Sequence, residues 1–327
     1  MVERLEDFAL GKKIVKEGGL QKIGVVGAGS TGQEIIRLAA RKGIEVVFVD
    51  VSEERVKAIF TRIERQLDEK INRWGLTQGE KRAILSRIKG STEYSILQGC
   101  NIVIESINSK KPGTSLPERK EVFLKIEEVV SEKATIASNT ATLMISEISS
   151  VLKHQERAVG LHFILPLDYV KVVEVVRTVR TCDHSMNCIT KFLKMLERDM
   201  IEVQESPGNI STRMIVPLIN EACAILLEGV ADVVQIDKTI KSTTGLLTGP
   251  FEMADAIGLD KVLKWMDNLY NEFGDIRYKP SPFIKRLVRA GMYGRRVGEG
   301  FYLYKDGKRI QKPGTVQHLG RITKSNR

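Results

Sequence analysis

The stretch from Lys22 to Asp50, KIGVVGAGSTGQEIIRLAARKGIEVVFVD, decides the fold. KIGVV is a short β-branched run, and a glycine cluster follows it directly. Apolar residues then recur from Gln33 to Arg41 at helical spacing, and EVVFVD forms a second β-branched run. Together these make one βαβ unit. Further strand-like runs come at Asn101–Glu105, Ala134–Ala137, Ala158–Phe163 and Val170–Val176, with a helix between Pro117 and Val130. Strands that alternate with helices predict an α/β, Rossmann-type, doubly wound and mostly parallel sheet. Between Ser52 and Lys89, Val56, Ile59, Ile63 and Leu67 recur at three and four residues, and the pattern restarts after Thr77. It reads as a helical-hairpin excursion.

After Ser206-Pro207-Gly208 the pattern is helical almost throughout, notably at Ile210–Gly229, Asp260–Phe273 and Pro282–Gly291. The expected organisation is an N-terminal arm (1–21), a nucleotide-binding domain (22–205) and an all-α C-terminal domain (206–327). A chain of 327 residues has room for two such domains, since one usually takes about 100 to 200 residues.

Composition narrows the class. No uninterrupted apolar run approaches the roughly 20 residues of a membrane span, and the first residues carry acids where a secretory signal would be apolar. A cytoplasmic protein without a membrane partner is expected. Cys100, Cys182, Cys188 and Cys223 show no metal-binding spacing, so reduced thiols and no metal are expected. The formal charge of +10 suits a polyanionic partner. Part of it lies in a basic tail from Lys305 to Arg327, and no aromatic RNA motif or zinc-finger spacing accompanies it, which argues against nucleic acid.

Gly27-Ala28-Gly29-Ser30-Thr31-Gly32 fits G-x-G-x-x-G, and its position between a strand and a helix gives the match its weight. Gly27 makes the tight turn, Gly29 lets backbone approach a pyrophosphate, and Gly32 lets helix and strand pack closely. Ser30 and Thr31 open a helix whose N-terminus favours phosphate. Asp50 ends the second strand 18 residues after Gly32, where an acid bonds both adenosine-ribose hydroxyls and repels a 2′-phosphate. NAD is therefore expected over NADP, although Arg55 stands close by.

The chain has four histidines. His154, His184 and His318 fall in polar connectors or the basic tail, whereas His162 ends the strand AVGLH, at the carboxyl edge where open α/β sheets bind ligands. Glu174 lies in the apolar run VKVVEVV, a costly place for a carboxylate without a partner. Oxidising an alcohol with a nicotinamide needs a base for the hydroxyl proton, and imidazole, with an ordinary pKa of about 6.5, suits the task. A carboxylate on its other nitrogen would fix the tautomer. The residues alone allow this pair or an unrelated core histidine and buried acid.

GLHFILP followed by VKVVEVV resembles the G-x-H-F-x-N-P and K-x-V-E-V segments of the L-3-hydroxyacyl-CoA dehydrogenases, which include the 3-hydroxybutyryl-CoA enzymes. ASNTATLMISEIS, ESPGNISTRMIVPLINEA, GPFEMADAIGLD and GRRVGEGFYLY resemble further segments of that family, in order, from about Lys22 to Tyr304. The resemblance implies reversible NAD-dependent oxidation of a (3S)-3-hydroxyacyl-CoA to the 3-ketoacyl-CoA. It also implies His162 as base, Glu174 as its orienting partner, Asn139 at the cofactor, and a homodimer through the C-terminal helices. The positive charge would then meet the phosphates of coenzyme A, with Lys70 and Arg73 as candidates.

Four departures stand out. Ala141 replaces the family's serine after SNT, Leu165 replaces the asparagine of H-F-x-N-P, and Thr212 replaces an asparagine, offering a hydroxyl in its place. Ser109 stands where a glutamate would neighbour the nicotinamide ribose, and an apparent insertion, KKPGTSLPER (110–119), follows it. These changes admit two alternatives: a dehydrogenase of a free or modified 3-hydroxy acid without CoA, or an NAD-binding protein without chemistry.

Overall fold

The computed structural model describes residues 20–72, 75–108, 115–305 and 307–310. Residues 1–19 of the expected arm, Arg73, Ser109, the first half of the apparent insertion and the tail from 311 with His318 lie outside the described residues.

Eight strands form one sheet: β1 (Lys22–Val26), β2 (Glu45–Val49), β3 (Ile88–Ser91), β4 (Ile102–Glu105), β5 (Thr135–Ser138), β6 (Ala158–Phe163), β7 (Val172–Arg177) and β8 (Asp199–Gln204), in the order 3-2-1-4-5-6-7-8. The order reverses beside β1, at the crevice where such sheets take nucleotides. Every pairing is parallel except that of β6 with β7. Eight residues join β6 to β7, too few for the helical crossover that parallel neighbours need. Two strands had not been read from the sequence. β3 is the short IKGS, and β8 lies in DMIEVQ, where charged and apolar residues mix without strict alternation on the sheet's outer edge.

Helix α1 (Ser30–Arg41) buries Ile35, Ile36, Ala39 and Ala40 against the sheet. The excursion is α2 (Glu53–Ile71) and α3 (Gln78–Leu85), and it buries Val56, Ile59, Ile63 and Leu67 as their spacing requires. Ser52 caps α2, and a Thr77–Glu80 capping box starts α3. On the other face lie α4 (Leu116–Glu127) and the short α5 (Ile145–Ser149), whereas α6 (Asp183–Met195) buries Met186, Ile189, Phe192 and Leu193 in the same core as α1. The second half of the apparent insertion is thus the first turn of α4.

The remaining helices are α7 (Ile210–Leu227), α8 (Val233–Thr244), α9 (Pro250–Ile257), α10 (Leu259–Phe273) and α11 (Pro282–Arg289), followed by a small hairpin of β9 (Tyr304–Lys305) and β10 (Lys308–Arg309). They surround a core of their own, with Phe251, Met266, Leu269, Phe283 and Phe301. Among the described helices, α7 is long and apolar enough by length and composition to cross a membrane, with a mean hydropathy of 1.5. Its Val216, Ile219, Cys223 and Leu226 belong to this core.

Two buried carboxylates hold distant segments of the helical unit together. Asp237 accepts from the Phe251 and Glu252 N–H groups at the start of α9 and from the Tyr302 hydroxyl. Asp255 accepts from the Phe301 and Tyr302 N–H groups, both at 2.9 Å, and from the Tyr304 hydroxyl. Burial pushes the Asp255 carboxyl up to about 6 despite these donors. A carboxyl raised in the folded state adds stability that is present below its unfolded value near 4 and lost as pH rises through 6. From pH 4 to pH 7 the wild type is expected to lose about 2 kcal/mol relative to Asp255→Asn, read as the change in the gap between their urea midpoints. A gap constant with pH would remove Asp255 as the titrating group.

Candidate active site

The glycine turn sits at the carboxyl end of β1. Gly27 has φ +87°, and a Cβ there would lie 2.8 Å from the Ile107 Cα, so only glycine suits the turn. A Cβ on Gly32 would run into the Gly27 carbonyl oxygen, which explains the close helix–strand packing. At Gly29 a Cβ would meet nothing within 4 Å, and no side chain caps α1. The unpaired amides of the first turn thus face open space, an arrangement that fits a phosphate. Ser30 is exposed and its hydroxyl accepts from Lys261 Nζ at 3.0 Å; Thr31 follows in the same turn.

Asp50 is buried at the end of β2. Its carboxylate accepts from Ala28 N at 3.0 Å, Val51 N at 2.9 Å and Arg55 Nε at 2.7 Å, so it ties the glycine turn to β2. A carboxylate has about four acceptor positions, and these donors leave about one for a ribose hydroxyl while Arg55 stays in place. Bonding both hydroxyls requires Arg55 to withdraw. The turn, the uncapped helix and this acid fit the adenosine pyrophosphate half of a dinucleotide.

The antiparallel pairing of β6 and β7 sets His162 directly opposite Glu174. His162 Nδ1 lies 2.8 Å from Glu174 Oε2, and both side chains are buried. An ionised carboxylate only accepts, so Nδ1 carries the proton and Nε2 keeps a lone pair. Nε2 makes no hydrogen bond among the described residues. The first turn of α7 completes the arrangement: Ser211 N donates to Glu174 Oε1 and Ser211 Oγ to Oε2, each at 2.8 Å. Burial alone would raise the Glu174 carboxyl, but His162 and Ser211 together hold it below the usual carboxylate range.

Ser211 was not among the residues singled out from the sequence. The signal available was a serine just inside a helix start, a position where its hydroxyl and amide both look outward for an acceptor. The neighbouring Thr212 is wholly buried, and its Oγ1 makes no hydrogen bond among the described residues. Asn139 lies beside His162, its Oδ1 accepting from Phe163 N at 2.9 Å.

The other substituted positions have definite surroundings. The Ala141 carbonyl accepts from Asn209 N at 3.3 Å, ahead of α7, and Thr142 Oγ1 accepts from Asn268 of α10 at 2.8 Å. Leu165 packs against the sheet's hydrophobic core. Lys70 is committed to Asp168 at 2.7 Å, and Arg37 and Arg41 approach the same carboxylate at 3.6 and 3.8 Å. Of the remaining histidines, His184 is exposed and His154 is partly so. A buried group beneath the cleft was also missed: Glu105, at the end of β4, pairs with Arg119 of α4 and accepts from Ser138 Oγ at 2.6 Å.

Two family models match the chain. The NAD binding domain of 3-hydroxyacyl-CoA dehydrogenase matches residues 22–206, and that enzyme's C-terminal domain matches residues 208–304. A probable 3-hydroxybutyryl-CoA dehydrogenase of Bacillus subtilis is 32% identical over 287 residues, which cover 88% of this chain and 98% of the relative. The mitochondrial hydroxyacyl-coenzyme A dehydrogenase of Homo sapiens is 31% identical over 304 residues, covering 91% and 94%. Among solved structures, the (S)-3-hydroxybutyryl-CoA dehydrogenase PaaH1 of Ralstonia eutropha superposes with a TM-score of 0.78 at 35% identity, covering 88% of this chain and all of that one. FadB2 of M. tuberculosis superposes with a TM-score of 0.83 at 29% identity, covering 88% and 99%.

Proposed function

The chain belongs to the 3-hydroxyacyl-CoA dehydrogenase family, and on that premise we propose that it oxidises a 3-hydroxyacyl-CoA reversibly to the 3-ketoacyl-CoA. The observation that carries the reading is the His162–Glu174–Ser211 constellation at the carboxyl edge of a sheet whose first turn fits a dinucleotide. Bound NAD+ supplies the hydride acceptor. His162 Nε2 takes the proton of the C3 hydroxyl as the carbonyl forms, and the ring becomes an imidazolium. Glu174 stabilises that charge from Nδ1, while Ser211 keeps the carboxylate aimed and ionised. In the reverse direction His162 returns the proton to the forming alkoxide.

NADH oxidation with acetoacetyl-CoA and with free acetoacetate tests the reading directly. Turnover with the thioester alone is the expected result. A second reading, a 3-hydroxy acid without CoA, is favoured by Ala141 and Leu165, which stand where the family carries polar side chains. Turnover with free acids and none with thioesters would replace the first reading by the second.

We assign Thr212 the donor role left open by Ala141, because its hydroxyl is buried, unpaired and next to Ser211. Thr212→Val removes the hydroxyl at nearly constant shape. Turnover is expected to fall about ten- to a thousandfold, as for other donors to a developing oxyanion, while stability stays level or rises because an unsatisfied buried group has gone. An unchanged kcat would end the assignment. A homodimer is supported by the apolar side chains that the helical unit leaves in solvent, among them Met214, Leu246 and Leu247; light scattering of the intact protein tests it.

A further inference from the structure

One wall of the cleft carries a charge that the proposed chemistry does not use. Lys261, Lys264 and Asn268 of α10 follow one another at three and four residues and therefore share a helix face. Lys261 Nζ reaches Ser30 Oγ at the end of β1, Lys264 lies within the field of Arg119 and Glu118 beside β4, and Asn268 reaches Thr142 beyond β5. That face of α10 thus runs along the carboxyl ends of the strands.

Lys261 makes no ion pair among the described residues, although Asp260 and Glu34 act on it from a distance. The neighbouring Asp260 is engaged by Arg296 at 3.0 Å, and Glu34 Oε2 accepts from Leu167 N at 2.8 Å. No carboxylate lies within ion-pair distance of Lys261 among the described residues. An ammonium has three donors, and a neutral hydroxyl satisfies one of them and none of its charge. Burial also strips water from it and lowers its pKa, which Asp260 and Glu34 offset only in part. The hydroxyl it grips opens α1, whose unpaired amides already favour phosphate.

We propose that Lys261 is a ligand for the cofactor's pyrophosphate, contributed by α10 and not by the nucleotide-binding layer. The proposal rests on reading the glycine turn as the dinucleotide site. Its consequence is that one cofactor phosphate group is held from both units at once, so that binding cofactor also fastens α10 across the cleft.

The test is equilibrium binding of NADH, by its fluorescence, and of ADP-ribose and adenosine, by calorimetry. Lys261→Met is expected to weaken NADH and ADP-ribose about ten- to a hundredfold, the scale of a charge-assisted bond. Adenosine affinity should not change, and Lys261→Arg should recover most of the loss. The difference between wild type and Lys261→Met should shrink in high salt. Equal NADH affinity in wild type and Lys261→Met would overturn the proposal, as would an equal loss for adenosine. A wild type that binds no NADH would instead remove the dinucleotide reading itself. Should Lys261→Met melt below the assay temperature, the wild type still decides: NADH must protect Lys261 from acetylation by an amine-reactive ester while exposed lysines react as before, and reaction of Lys261 unhindered by NADH would likewise overturn the proposal.

Discussion

His162→Ala is expected to lower kcat by about a hundred- to ten-thousandfold, the range that a positioned general base supplies, while NADH affinity stays within a factor of about two. The split follows from where the groups lie. His162 sits on β6, and the glycine turn and Asp50 sit on β1 and β2, so the substitution removes the proton acceptor without touching the phosphate or ribose sites. Glu174→Gln sharpens the test, because its amide turns a donor where His162 Nδ1 needs an acceptor. The proton then moves to Nε2, and the atom that should receive the substrate's proton already holds one. A loss close to that of His162→Ala is expected, with His162 still present. If either variant kept wild-type turnover, the proton would be leaving by another route and the assigned base would be wrong.

How far such a site can be read from sequence depends on the length scale of each contact. The glycine turn was legible because its causes are local: a strand, a positive-φ residue and a helix start lie within a dozen residues. The His162–Glu174 pair was legible for another reason. A carboxylate in an apolar strand demands a partner, and few histidines were available to provide one. Ser211 was hidden because a serine at a helix start has an ordinary local use in turns and caps, and only the packing of α7 against β7 gives it Glu174. Lys261 and Ser30 are 231 residues apart, and no periodicity connects them. The short outer strands β3 and β8 escaped because sheet edges carry mixed polarity, which weakens the two-residue alternation.

Arg119 shows the same limit with the largest expected consequence for stability. From the sequence it lies where an apparent insertion, KKPGTSLPER, overlaps the helix expected from Pro117, and neither reading gives it a buried partner. In the fold it stands in the first turn of α4 and pairs with Glu105, which is 0% exposed. Its Nη2 also donates to the Ile107 carbonyl at 3.1 Å, while Ile107 N donates back to Glu105 at 2.6 Å. The pair therefore fixes the chain just after β4, where Ile107 backs onto Gly27 of the cofactor turn. Arg119→Met is expected to cost about 3 to 5 kcal/mol, because Glu105 is left as an uncompensated buried charge. That is a large share of the 5 to 15 kcal/mol that typically separates folded from unfolded chains, and it corresponds to a fall of roughly 10 °C in Tm. Glu105→Gln combined with Arg119→Met should recover most of the loss, since the amide oxygen can still accept from Ile107 N while its NH2 donates to the Ser138 hydroxyl. Urea denaturation of the single and double variants decides between two accounts. Recovery assigns the penalty to the stranded charge, whereas a double variant as unstable as the single would assign it to the lost packing of the arginine stem along α4.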